Sequence, residues 1–294
     1  MSDIFKAIMA TLRENYDGFI EDLEEKNRAE STVLAYGTDI RQLIEFLDDP
    51  EADEIKYGDL ASFLDDLEDS GYTKKSISRK INSIRTFFRH LKEEGEISEN
   101  PASRLKHPQF EIKPPRILLE MEYRALRDVV RDDKRMYAVV ELLLQTGIRI
   151  GELREVRIED ITFSDNGPGE LYVRPSHRRP GRAVPLNKAA QEAIKDYLEV
   201  RPESDSDILF ITKTGNPFLI RNIRASLNRY FEKAGIEDAT VSSLRHTFVA
   251  HHLSRGADVT YISNLIGHKR LTSTEKYLQY VDRPEKETKE LEEL

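Results

Sequence analysis

Apolar residues recur at helical spacing through nearly all of this chain, and that rhythm limits the folds open to it more than any single motif does. Ile4, Phe5, Ile8, Leu12, Phe19, Ile20 and Leu23 mark an acidic amphipathic segment over residues 1 to about 30. Ser31-Thr32 caps a second helix, with Tyr36, Ile40, Leu43, Ile44 and Phe46-Leu47 on its buried side. Periodicity returns over Leu119–Val130 and Met136–Thr146, breaks at Gly147, and resumes over Asn187–Val200 and Ile220–Ala234. Strand signals appear only between about Val156 and Leu186, where Asp165-Asn166-Gly167 is a turn and ELYVR (170–174) and RAVPL (182–186) read as paired strands. The expectation is a mainly α protein with one small antiparallel sheet.

The helical pattern is cut once. Gly95 and Asn100-Pro101 close a first module, and HPQFEIKPPR (107–116), with three prolines, reads as an extended and fairly stiff connector. A chain of 294 residues has room for a domain on each side of it.

Charge follows the same organisation. Net charge is −9 with 34% charged residues, which on average argues mildly against a nucleic-acid partner, yet the charges are segregated. Residues 41–70 hold eleven acids against two bases, whereas Thr73–Lys92 holds seven Lys or Arg and no acid. Its stripe of Ile77, Ile81, Ile84, Phe87-Phe88 and Leu91 leaves Lys74, Lys75, Arg79, Lys80, Arg85 and Arg89 for other faces. Such a helix is either a solvated face or one that tracks a phosphate backbone. The strand turn PSHRRPG (175–181) is a second basic cluster. With no cysteine, disulfides, thiolate nucleophiles and Cys-ligated zinc are excluded. No apolar run is long enough to span a bilayer, and Asp3, Lys6 and Arg13 interrupt any secretory signal, so a soluble cytoplasmic protein is expected.

The stretch from Ser242 to Tyr280 carries the most chemistry. It reads as a helix, a turn at Arg255-Gly256, a second helix stopping at Gly267-His268, and a third opened by Thr272 or Ser273 that carries Tyr277. An arginine can clamp a phosphate with two parallel hydrogen bonds, and a phenol can attack phosphorus to give a covalent ester. Taken alone, these residues fit an ordinary three-helix core segment better, because single Arg, His and Tyr residues are common in helices.

Four boxes in order reverse that balance. TGIRIGEL (146–153), LRH (244–246), LIGH (265–268) and Tyr277, nine residues after His268, together resemble the motifs of the tyrosine recombinases, the phage-integrase and Xer-type DNA strand-exchange enzymes. The resemblance covers nearly the whole chain. It implies a helical, SAM-like core-binding domain over 1–106, a linker over 107–116, a catalytic domain over 117–283, and an acidic tail over 284–294 exchanged between protomers. It also implies double-stranded DNA as partner, a homotetramer on two DNA sites with a monomer or dimer off DNA, and no cofactor or metal.

Carried over position by position, the resemblance makes Arg149 and Arg245 the clamp on the non-bridging oxygens and His268 a third donor. Glu152 is then a supporting group and Tyr277 the nucleophile that leaves a 3′-phosphotyrosine. Lys74, Lys75, Arg79, Lys80, Arg85, Arg89, Arg178 and Arg179 become DNA contacts. Two positions depart from the pattern. Ser242 stands where the family has a histidine, and serine cannot shuttle a proton near neutral pH. His177 stands where the family has a lysine and is the candidate general acid. A type IB topoisomerase-like relaxing enzyme, and a DNA-binding regulator that kept the fold, are the alternative readings.

Overall fold

The computed structural model describes residues 10–111, 113–176 and 179–282. Ile4, Phe5, Ile8, His177, Arg178 and the tail over 284–294 lie outside the described residues. The chain falls into two compact units, Met1–Lys113 and Pro114–Leu294.

The first unit is built from α1 (Tyr16–Glu25), α2 (Glu30–Leu47), α3 (Tyr57–Asp69) and α4 (Lys74–Glu93). Its opening helix starts later than periodicity suggests. Thr11 makes an isolated antiparallel bridge to Glu51, and the Leu12 N–H donates to the Pro50 carbonyl at 3.1 Å. Leu12 is fully buried without being helical. The second helix begins at Glu30 behind Ala29, so Ser31 and Thr32 lie inside its first turn instead of capping it. Phe46 is 41% exposed, which corrects its expected place on the buried side.

In α4, Thr73 Oγ1 accepts the Ser76 N–H at 3.2 Å and starts the helix. The expected stripe from Ile77 to Leu91 is buried, and the Phe87 ring meets Phe19 edge-on at 5.1 Å. Lys80 is a correction. It is 3% exposed, and its Nζ donates to Asp39 at 2.9 Å and to Gln42 at 2.5 Å. Arg79 pairs with the same carboxylate, and the Ser83 hydroxyl donates to it at 2.7 Å. A buried ammonium needs such partners, and so Lys80 is not on the surface that a phosphate backbone would require. Arg85 donates to the carbonyls of Ala102 and Leu105, tying down the turn that follows the helix. Lys74, Lys75 and Arg89 are exposed.

The second unit opens with α5 (Glu120–Val130), α6 (Lys134–Thr146) and α7 (Ile150–Glu155). Strands β1 (Ile161–Thr162), β2 (Gly169–Val173) and β3 (Arg182–Leu186) follow, then α8 (Lys188–Val200) and α9 (Ile220–Lys233). The unit is completed by α10 (Val241–Ser254), α11 (Val259–Leu265), α12 (Thr272–Glu275) and a 3-10 turn over Lys276–Tyr280. Every residue of 138–148 is buried, so α6 is the central post, packed against α8 and α10. The sheet is antiparallel in the order β1-β2-β3, with Leu171 opposite Val184 and Glu170 opposite Pro185. Pro185 is tolerated because β3 is an edge strand that need not donate outward. The last expected helix is split: neither Thr272 nor Ser273 caps α12, and Tyr277 sits on the 3-10 turn. Among the described residues no helix is long and apolar enough to cross a membrane.

Candidate active site

The site forms where α6 ends. Gly147 closes that helix with φ of 61°, and a Cβ there would lie 2.5 Å from the Phe248 ring, so no other residue fits this corner. The chain then turns into α7 with Arg149 at its head. The Arg149 N–H donates to Glu152 Oε2 at 2.9 Å, which fixes the first turn. Its guanidinium donates to Glu152 Oε1 at 3.1 Å, to the Ile266 carbonyl at 3.0 Å and to the Gly267 carbonyl at 2.9 Å.

Arg245, on α10, is 9% exposed and reaches the same place from the other side. It donates to the Gly147 carbonyl and to the Ile266 carbonyl, the latter at 2.7 Å. Two guanidiniums therefore converge on one backbone oxygen. A third, Arg182 on β3, donates to Glu152 at 3.1 and 2.8 Å and to the Leu265 carbonyl at 2.6 Å. Gly267 has φ of 65°, and a Cβ there would come within 3.0 Å of Arg182 Nη1. Just beyond it, His268 Nδ1 is 2.8 Å from the Thr274 hydroxyl. Tyr277 is 7% exposed, with its hydroxyl 2.5 Å from His246 Nδ1.

Arg149, Glu152, Arg245, His268 and Tyr277 are thus brought together from parts of the chain more than a hundred residues apart. Ser242 is not among them, being exposed on α10. Arg179 belongs to the neighbourhood: its charge bears on both Arg149 and His268, and its Nε is buried without a hydrogen-bond partner. Two contributors were not anticipated. His246 lies inside the LRH box, but its contact depends on a residue 31 positions later. Arg182 reads from sequence as an ordinary strand residue.

The electrostatics are those of a strongly cationic site suited to an anion. Burial alone would raise the Glu152 carboxyl, but the hydrogen bond from Arg182, the Arg149 N–H and both guanidinium charges outweigh it and hold the group at about 2. Burial, and then the neighbouring Arg149 charge, lower Arg245, although a group that starts above about 12 stays cationic at neutral pH. Burial and the charges of Arg245 and Arg149 push His268 down to about 4. Arg149 uses three donors on protein acceptors and Arg245 uses two. A guanidinium has five, so both keep N–H groups for a ligand oxygen. Among the described residues no group of three or more acidic or histidine side chains is placed to hold a metal.

Comparison with known proteins points one way. The phage integrase family model matches residues 116–283, and the phage integrase N-terminal SAM-like domain matches 16–95. A tyrosine recombinase XerC of Oceanobacillus iheyensis is 33% identical over 277 residues, covering 89% of this chain and 90% of the relative. The XerC of Staphylococcus aureus strain USA300 is 33% identical over 272 residues, with the same coverage of 89% and 90%. Among solved structures, XerA recombinase is 27% identical with a TM-score of 0.53, covering 90% of this chain and 93% of that one. A lambda integrase tetramer bound to a Holliday junction shares the fold, with a TM-score of 0.76 at 20% identity over 97% of this chain and 81% of that one.

Proposed function

The chain belongs to the phage integrase family and is a tyrosine recombinase that breaks and rejoins DNA at specific sites, and we propose that Tyr277 is its nucleophile and Arg149, Arg245 and His268 its phosphate clamp. The observation that carries these assignments is the convergence of Arg149 and Arg245 on the Ile266 carbonyl, with His268 two residues further on.

A scissile phosphate placed against these donors would have its two non-bridging oxygens met by fixed positive charge. Attack by a phenol at phosphorus builds charge on those oxygens, and pre-positioned donors stabilise that charge without having to reorganise. The Tyr277 oxygen forms the bond to phosphorus while the bond to the 5′-oxygen breaks, giving a 3′-phosphotyrosine and a 5′-hydroxyl. The ester keeps the energy of the broken linkage, so a 5′-hydroxyl from another strand can reverse the step without ATP. Glu152 keeps Arg149 and Arg182 in register from beneath.

The N-terminal unit would grip the duplex through Lys74, Lys75 and Arg89, the enzyme acting as a tetramer across two sites in the cytoplasm. His177 and Arg178 retain their proposed parts, as acid and as DNA contact. The topoisomerase and regulator readings gain no observation of their own. The test is a suicide duplex that traps the covalent intermediate. Wild-type protein should give a denaturant-stable adduct and Tyr277→Phe none, with DNA binding retained. An equal adduct from the Phe variant would reassign the nucleophile, with Tyr280 the next to examine.

A further inference from the structure

The tyrosine's proton needs a destination, and the family's position for a second-box histidine holds Ser242, which is exposed and touches none of the reacting groups. One residue past Arg245, on the same helix, the His246 ring lies 5.8 Å from the Tyr277 ring at 41°, its Nδ1 2.5 Å from the phenolic oxygen. We propose that His246 is the general base that takes the Tyr277 proton, a role moved four positions along α10 from the place where Ser242 stands.

This inference rests on Tyr277 being the nucleophile. Three features make the geometry productive. Nδ1 can accept only if the ring is neutral and carries its proton on Nε2, and both burial and the adjacent Arg245 charge favour the neutral ring. Burial also raises the Tyr277 phenol, so few molecules hold a phenolate at neutral pH and a base within hydrogen-bond reach has work to do. His268, the other histidine nearby, is engaged through Nδ1 with Thr274, leaving its Nε2 to donate towards a phosphate. The two histidines thereby divide the labour: His268 gives a hydrogen bond, His246 receives a proton.

The step balances. As the Tyr277 oxygen bonds to phosphorus, its proton moves to His246 Nδ1 and the ring becomes an imidazolium. The departing 5′-oxygen takes a different proton, from water or from His177. In rejoining, the attacking 5′-hydroxyl returns its proton to water or His177 as it displaces the tyrosine oxygen, which recovers its own proton from His246. Arg245 on its own helix, Tyr277 on the 3-10 turn and His268 beyond α11 are the charged and titratable groups that bear on the ring.

The experiment is single-turnover cleavage of the suicide duplex as a function of pH. Wild-type cleavage should be level from about pH 7 to 9, because a neutral imidazole is already in place. His246→Gln should cleave about 10²- to 10⁴-fold more slowly near neutrality, with its rate climbing about tenfold per pH unit as free phenolate takes over. Placing difluorotyrosine, a far more acidic phenol, at position 277 should restore most of the loss in the Gln variant and change wild type little. A Gln variant within about threefold of wild type would overturn the proposal, and so would one equally slow with both phenols, since that marks a merely structural contact. Should the variant unfold, the wild-type profile still decides: a tenfold rise per unit across that range means no base acts. Tyr277→Phe separates the two levels. If it still forms adduct the nucleophile is wrong, whereas its failure beside a normal Gln variant sinks only His246.

Discussion

Both units gather arginines and lysines against protein acceptors, but they settle the charge differently. On α4, Arg79 and Lys80 converge on Asp39, with Gln42 and Ser83 filling in. At the end of α6, Arg149 and Arg182 share a single carboxylate, Glu152, while Arg245 is met only by backbone carbonyls. Carbonyls satisfy hydrogen bonds without cancelling charge. In the first cluster both cations pair directly with the carboxylate, Lys80 buried and Arg79 partly exposed, whereas in the second Arg245 has only carbonyls, leaving a larger surplus of buried positive charge for an incoming phosphate to complete. Density of basic residues is therefore a poor guide to a nucleic-acid site. What matters is how many lack a carboxylate.

The largest test of that contrast is Arg245→Ala. Losing one pre-positioned donor to a developing oxyanion costs about 10²- to 10³-fold, and suicide-duplex cleavage should fall at least that far. Arg79→Ala should leave cleavage by folded protein unchanged, and a comparable loss there would erase the distinction.

Lys80→Ala probes the scaffold side. Removing one partner of a buried ion pair costs about 3 kcal/mol, and urea unfolding should show a loss of that order in the N-terminal unit. Cleavage per folded molecule should stay near wild type. A variant as stable as the parent would mean that Asp39 is content with Arg79 and Ser83 alone.

Next comes pH. Glu152 sits at about 2 when folded and near 4.3 when unfolded, so its contribution is complete above about pH 5 and drains away as pH falls towards 2. The gap is worth about 3 kcal/mol, and Glu152→Gln should flatten the acid side of the stability curve of the second unit by about that much. An identical curve for the Gln variant would show that Arg149 and Arg182 do not hold the carboxylate.

The smallest effect belongs to the exposed cations. Lys74→Ala with Lys75→Ala should weaken binding to all duplexes alike and lower the salt slope by roughly one unit per lost contact, with no change in stability. An unchanged slope would make them a solvated surface.

These tests follow a boundary that sequence shows only in part. The limits of α6, α8, α9 and β3 were readable from spacing and turn residues, because local rules govern segments whose neighbours are their own flanks. The start of α1 was not, because Thr11 and Leu12 pair with residues near Glu51 instead of continuing the helix. Lys80 reads as polar-face from its own helix, and only Asp39, 41 residues earlier, makes it internal. In the site, Arg149, Arg245, His268 and Tyr277 were legible through their boxes. His246 and Arg182 were not, since what defines each is a partner on another element.

The end of α11 adds a consequence for anyone perturbing the arginines. The carbonyls of Leu265, Ile266 and Gly267 lie where a helix runs out of its own N–H partners and its dipole is negative. Three arginines from three elements supply four hydrogen bonds there. The two arginines of the proposed phosphate clamp, with Arg182, are in effect the C-terminal cap of this helix. Removing Arg149 or Arg245 would take charge from the proposed phosphate site and also remove part of the cap on the turn from which His268 hangs, so a rate measured on an alanine variant would report both losses at once. Lysine at the same position, able to cap but not to fork, is the substitution that would begin to separate them.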